Sequence, residues 1–437
     1  HTIRNPVRRR GHDPGRAPDP GRPGRDVNLF VTLSYRSLTR RQQRVYRGRM
    51  ATDTVQPTSF DQADDRAPAA GDRPESRGHG ASDLGFDVHA LQRILDGRYA
   101  EVRDLVRENL AEHASILSEA ETLGVDEYRD RVKELLLTMA ESGQTGMGFP
   151  AEYGGGEDVG ASIAAFETLA YGDLSLLVKA GVQFGLFGGA ILHLGTKHHH
   201  DAYLRPLISG ELLGCFAMSE SGHGSNVQAL RTHATYDPDT DEFVVTTDGD
   251  LGRKDYIGNA AAHGELAVVF AQLHVNGENE GVHALVVPIR QDGETAPGVR
   301  IEDCGHKMGL NGVDNGRLWF DEVRVPRSAL LDRFAHVDDE GVYRSEIENP
   351  DRRFFTTLGT LVQGRISVGG AGIGASKVAM TLAVRYADLR RQFEAADPER
   401  EQLLLDYGMH QRRLLPLLAR TYALHFTQEK LAGELHL

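Results

Sequence analysis

The chain has 437 residues, 40% of them hydrophobic and 26% charged, an ordinary globular composition with room for two or three domains. A formal net charge of -14 argues against nucleic acid as a main partner, because phosphate binding needs a basic footprint, and it leaves any anionic ligand to local arginines. The two cysteines, Cys215 and Cys304, stand far apart and outside any CxxC pattern, which supports neither a disulfide framework nor a zinc site and fits a reducing, intracellular setting.

Residues 1–49 are rich in Arg, Pro and Gly, lack lysine and hold no sustained period, so no packed structure is predicted there. An Arg-rich opening resembles an organellar transit peptide, yet Asp13, Asp19, Asp26 and the clustered prolines oppose an amphipathic helix. Met50 followed by ATDTVQP reads as a natural start, which makes the residues before it either an over-extended reading frame or a disordered tail. Disorder is expected to continue through the Pro-, Gly-, Asp- and Ser-rich stretch to Ser82, giving a non-native or disordered extension over 1–82.

From Leu84 the apolar residues recur at helical spacing: Leu91, Ile94 and Leu95, then Val102, Leu105, Val106 and Leu110. Helices are predicted again at Tyr128 to Met139 and Ala161 to Tyr171, separated by turns such as Gly154 to Gly156, so 83–210 reads as a helical domain. The period then shortens. Phe243 to Val245, Leu266 to Leu273, Val282 to Ile289 and Leu318 to Val325 are β-rich runs, with Asp237, Pro238 and Asp239 supplying turn chemistry, and 211–335 reads as a β domain. Over 336–437 the helical period returns, in one long small-residue helix from Thr356 to Asp388 and in further helices from Leu403 to Glu429 that close no bundle. This α, β, α order, with no GxGxxG motif after a strand, argues against a Rossmann protein; no apolar run approaches the roughly 20 residues that span a bilayer, so a soluble protein is expected.

The segment GCFAMSESGHGSNVQAL, Gly214 to Leu230, resembles the signature of the acyl-CoA dehydrogenase and oxidase superfamily, in its oxidase form with GHGSN in place of GxGSD. RKDYIGNAAAH from Arg253, DCGHKMGLNGVDNGRLWFDEVRVPR from Asp303, RFFTTLGTLVQGRISVGGA from Arg353 and YADLRRQF from Tyr386 follow in the family's order. The resemblance spans 84–437 and implies an α+β multidomain fold: an N-terminal helical domain, a middle β-barrel or sandwich domain and a C-terminal helical bundle, here incomplete.

It also implies FAD as cofactor, and a site for it. The strand Phe216, Met218, Ser219 would offer a polar backbone edge and a hydroxyl to the flavin ring, whose reduced form is electron rich. Gly258 and Asn259 would lie on a second flavin-contacting strand, the glycine leaving space over the ring through which oxygen could enter; Asp255 and Tyr256 depart from the family pattern by standing where tryptophan is expected. Arg390, Gln392 and Phe393 match the motif by which one subunit reaches the FAD of its neighbour, the arginine fork suiting phosphate oxygens, and this implies a homodimer. Ser225 and Arg365 correspond to positions near the pantetheine and phosphates of a fatty acyl-CoA. His198, His199 and His200 read as a solvated helix start rather than a metal site, since adjacent helical residues do not share a face, and His223, His263, His283 and His306 show no ligand spacing either.

The reaction implied removes the α-proton of the thioester while a β-hydride passes to flavin, giving trans-2-enoyl-CoA. Gly364 occupies the position before Arg365 where some relatives carry the proton-abstracting Glu, so the base is expected in a later segment beyond Leu437, and the chain reads as C-terminally truncated, either inactive alone or an FAD- or acyl-CoA-binding remnant. The oxidase reading, with O2 reduced to H2O2 in fatty-acid β-oxidation, stands beside a dehydrogenase reading with an electron-transfer flavoprotein as acceptor. The Arg-over-Lys bias points to a bacterial cytoplasm, with a peroxisome as the eukaryotic alternative.

Overall fold

The computed structural model describes residues 87–114, 122–394 and 399–436, so the readings made for 1–82 lie outside the described residues. Asp87 caps α1 (Val88–Asp96) by accepting from the backbone of His89 and Ala90. There follow α2 (Ala100–Glu112), α3 (Val125–Glu141) and α4 (Val159–Leu169), the last capped by Asp158. A single apolar rod then runs from α5 (Leu174–Ala180) through a π-helical turn at Gly181–Phe187 into α6 (Gly188–Leu194), ahead of α7 (Lys197–Ser209). Val106, Leu135, Leu136, Leu169 and Leu176 make one buried cluster between these helices.

The main sheet is organised around β5 (Leu266–Val275). Along one edge lie β1 (Gly214–Ala217) and β2 (Thr232–Asp237), both parallel to it, and β6 (Glu278–Pro288) runs antiparallel on the other. β3 (Glu242–Thr247) extends the sheet beyond β2, and β11 (Val323–Pro326) closes it. A smaller sheet holds β4 (Lys254–Ile257), β10 (Gly316–Phe320) and β9 (Val299–Asp303) in the order β4-β10-β9, and β7 (Arg290–Gln291) with β8 (Glu294–Thr295) and β12 (His336–Val337) with β13 (Tyr343–Arg344) form two short ladders. Residues of both sheets, among them Val245, Val269, Leu285, Leu318 and Phe320, share one core. The single run expected from Leu318 to Val325 is therefore two strands in two sheets, broken at Asp321 and Glu322, the latter at φ 52°.

The helix expected from Thr356 to Asp388 is also divided. α8 (Pro350–Leu358), capped by Asn349, tightens into a 3-10 turn at Gly359–Leu361 and continues as α9 (Val362–Leu389). A hairpin of β14 (Arg391–Glu394) and β15 (Glu401–Leu403) leads to α10 (Gly408–His436), which packs on α9 and α4. The small residues of α9 have a steric reason: a Cβ on Gly374 would stand 2.7 Å from the Glu167 carbonyl oxygen, so glycine sets how closely α4 and α9 approach. At that crossing buried Arg103 of α2 joins Glu167 of α4 to Glu429 of α10.

Two helical stretches, Leu174–Leu194 and Pro350–Leu389, are long and apolar enough to cross a membrane, contrary to the sequence reading. The first is 61% buried inside the protein and holds the wholly buried Lys179; the second carries Arg352, Arg353, Arg365, Lys377 and Arg385. Both are accounted for as helices of the fold.

Candidate functional site

The C-terminal end of β1 is where the expected site begins. Gln183, in the π-helical turn, fixes its start: the side-chain oxygen accepts from Gly214 N at 2.9 Å while its amide donates to Leu212 O at 2.7 Å. Phe216, half-buried, packs against Phe270 with ring centroids 4.8 Å apart, and Met218 is buried in the core. Ser219 is exposed.

Beneath that edge lies Lys254, wholly buried. Its ammonium donates to Phe270 O at 2.7 Å, Glu220 Oε1 at 2.9 Å and Met218 O at 3.2 Å, while the Glu220 carboxylate also accepts from Arg231 N, Thr232 N and the Thr232 hydroxyl. Burial pushes the Lys254 ammonium down to about 8, against the opposing attraction of Glu220. Asp255 N donates to Ser219 O at 3.1 Å, which lays β4 beside the Met218–Ser219 turn. Asp255, in place of the expected tryptophan, accepts from the Ser221 hydroxyl at 2.6 Å and pairs with Arg253 and Arg317 at 3.3 and 3.2 Å. Tyr256 is exposed, with φ 57°.

At Gly258 and Asn259 the side-chain positions face into the protein. A Cβ on Gly258 would meet Val182 Cγ2 at 2.7 Å, so the missing side chain makes room for the π-helical turn rather than an open approach over a ligand. The Asn259 side chain is spent inside the protein: its oxygen accepts from Lys179 Nζ at 2.7 Å and its amide donates to Gly214 O at 3.0 Å. Lys179 also pairs with Asp314 at 2.7 Å, both wholly buried, and Asp314 accepts from the backbone of Ala262 and His263. Burial alone would raise the Asp314 carboxyl, yet hydrogen bonds from His263 and the charge of Lys179 hold it far below the carboxylate range. These ions lock α5 to the β4 end of the β domain.

The other expected residues are exposed: Ser225 follows the β1 turn, Arg365 lies in the first turn of α9, and Arg390, Gln392 and Phe393 lie at its far end, Phe393 at φ 62°. Among the described residues, no hydrogen bond or ion pair engages the side chains of Ser219, Ser225, Arg365, Arg390 or Gln392. The structure thus brings Phe216 to Ser219 together with Asp255 to Asn259, while the length of the 28-residue α9 keeps Arg365 about 37 Å from Arg390. Sequence reasoning gave no role to Lys179, Lys254, Glu220 or Asp314; the one available signal was a lysine inside the apolar run LSLLVKAGVQFGLFGGAIL.

The helix start at His198–His200 is solvated only in part. His198 is exposed, but His199 is wholly buried and lies 3.7 Å from Asp332.

Residues 98–211 match the acyl-CoA dehydrogenase N-terminal domain, 215–323 the acyl-CoA dehydrogenase middle domain and 358–436 the acyl-CoA oxidase C-alpha1 domain. The chain is 41% identical over 359 residues to the Arabidopsis thaliana protein "Acyl-coenzyme A oxidase 3, peroxisomal", covering 79% of this chain and 53% of that one. It is 41% identical over 270 residues to human "Peroxisomal acyl-coenzyme A oxidase 3", covering 61% of this chain and 38% of that one. The solved acyl-CoA oxidase1 of Yarrowia lipolytica superposes with a TM-score of 0.70 at 32% identity, over 79% of this chain and 49% of the other. The chain spans about half the length of the curated plant relatives it matches.

Proposed function

The chain belongs to the acyl-CoA oxidase family, and from that premise we propose that the protein is an FAD-dependent oxidase of fatty acyl-CoA thioesters, forming trans-2-enoyl-CoA and H2O2 in fatty-acid β-oxidation. The observation that carries the reading is the ordered run of three family domains ending in the oxidase-type C-alpha1 domain at 358–436. That last domain favours the oxidase over a dehydrogenase with the same half-reaction and an electron-transfer flavoprotein as acceptor.

The residues present fit a flavin. The β1–β4 edge offers the unengaged Ser219 hydroxyl and the exposed Tyr256 ring, and Lys254 fixes the turn that presents them. Bound there, FAD would supply the two-electron acceptor for the β-hydride. Ser219, with the backbone of Phe216, Met218, Gly258 and Asn259, would orient the ring, while Ser225 and Arg365 would hold the CoA part of the thioester. Arg390, Gln392 and Phe393, exposed beyond the far end of α9, would serve the cofactor of a second copy. Exposed Val368, Tyr386, Leu389, Leu424 and Phe426 on α9 and α10 support a homodimer in the same way. For the α-proton a carboxylate is required, and Gly364 cannot provide it.

The Arabidopsis thaliana and human relatives carry "peroxisomal" in their names, which supports a peroxisomal location; the bacterial cytoplasm has only the Arg-over-Lys bias behind it.

The test mixes FAD-loaded protein anaerobically with a long-chain acyl-CoA, follows the oxidised-flavin band, then admits oxygen. Bleaching followed by one peroxide per flavin is expected of protein that includes its proton-abstracting carboxylate. Bleaching without peroxide would favour the dehydrogenase, and flavin that stays oxidised under excess acyl-CoA would favour a non-catalytic binding protein.

A further inference from the structure

Adjacent histidines inside a helix diverge, but His198 and His199 occupy the first turn of α7, where their rings lie with centroids 3.7 Å apart and planes tilted by 40°. A third group arrives from far along the chain: Asp332 follows Leu330 and Leu331, the segment that docks on β6. One ligand atom from each of His198, His199 and Asp332 lies within 4.8 Å of the others. His200 takes no part, its Nε2 lying 3.1 Å from Leu192 O.

The protons around this cluster can be assigned. His198 Nε2 is 3.3 Å from Ser328 O, which only accepts, so Nε2 carries the proton and Nδ1 the lone pair. His199 Nδ1 accepts from Thr196 N at 3.2 Å, so there too Nδ1 is the lone pair. The Thr196 hydroxyl has a single proton, yet His198 Nδ1 lies at 3.0 Å and Asp332 Oδ1 at 2.7 Å from its oxygen. Two imidazole lone pairs and a carboxylate therefore share one hydroxyl proton and one backbone N–H. The His199 ring is wholly buried. Its Nε2 is also buried and has no hydrogen-bond partner, which leaves the ring held from one side.

We infer that His198, His199 and Asp332 form a binding site for a divalent transition-metal cation that staples the start of α7 to the Ser328–Asp332 segment. Two nitrogens and one carboxylate oxygen suit Zn, Co or Ni rather than Mg or Ca, and Thr196 Oγ1 or water would complete four-coordination. Ser328 O holds the non-ligating nitrogen of His198, the arrangement that orients metal-ligating imidazoles. Contraction from 4.8 Å to roughly 3.4 Å, the donor spacing of a tetrahedron with bonds of about 2.0–2.1 Å, falls to exposed His198, which has room to move. The positive end of the α7 dipole opposes the cation, and the Asp332 charge offsets it.

Co2+ titrated into the purified chain tests this, read by visible absorption and by equilibrium dialysis. One tightly bound Co2+ per chain with tetrahedral d–d bands is expected, displaced by Zn2+, together with a higher Tm. H198A, at an exposed position, and D332N should each weaken binding at least tenfold and abolish the rise in Tm, while H200A, outside the cluster, should leave both within twofold. Absence of one-to-one binding, or equal affinity in wild type, H198A and D332N, overturns the site.

Discussion

A lysine with no solvent exposure is tolerated only because every proton on it is used, and Lys254 spends its three on Phe270 O, Met218 O and Glu220. Removing one member of such a pair strands the other, typically at a cost of about 3–5 kcal/mol, whereas replacing both with shape-matched neutral groups costs far less. Lys254→Met should therefore lower Tm sharply and loosen FAD, since Met218 and Ser219 lose their anchor. Lys254→Met with Glu220→Gln should recover most of the stability but not the flavin affinity, because Met218 O stays unanchored. Additive losses in a double-mutant cycle of Tm would refute the coupling. Lys179 and Asp314 follow the same logic one layer deeper, at the junction of α5 with the β domain.

The crossing of α4 over α9 depends on Gly374, where any Cβ meets the Glu167 backbone at 2.7 Å and backbone cannot swing aside. Gly374→Val should force the helices apart and destabilise by about 1–3 kcal/mol, the usual range for overpacking. Amide exchange should quicken in α9 and α10 and leave β5 and β6 unchanged; uniform quickening would mean that the crossing is not a local unit. The small residues of α9 were visible in the sequence, as were the helical periods of α1 to α4 and the apolar runs of β5 and β6, because each pattern is written within a few turns. The break between β10 and β11 was not, since the charged pair Asp321 and Glu322 also suits the solvent side of one continuous strand, and only the pairing of each half with a different sheet divides the run. As motifs, the candidate site was legible, and they singled out the β1 turn and Arg365 for a ligand. It was illegible as a network: Lys179 finds Asp314, and Arg103 finds Glu429, across separations that no local pattern encodes.

Two buried histidines in different domains tie the stability of the entire molecule to pH. His283 of β6 bonds the Tyr343 hydroxyl at 2.9 Å and Gly281 O at 3.0 Å, and burial lowers it to about 4, with the nearby Arg353 acting in the same direction. His425 of α10 reaches Leu95 O of α1 at 2.6 Å and Lys377 Nζ of α9 at 2.9 Å; burial, then the Lys377 charge, lowers it to about 4 as well. In the unfolded chain both sit near 6.5, so between pH 6.5 and 4 the unfolded state binds more protons and stability rises with pH. Their contribution is complete above pH 6.5 and is lost as pH falls through about 4. Each is worth at most about 1.4 kcal/mol per pH unit. Glu429 works the other way, since burial raises its carboxyl above the unfolded value and the native state takes up that proton first. The net slope from these three groups should lie between one and two protons. Denaturant midpoints at pH 7.5, 6.5, 5.5 and 5 should stay level above 6.5 and drop below it. The double variant His283→Gln, His425→Gln should be less stable at pH 7.5 yet flatter across the series, because glutamine keeps a hydrogen-bonding amide without a titrating proton. A wild-type profile that rises as pH falls, or a double variant with undiminished slope, would show that acid acts on the fold through other groups.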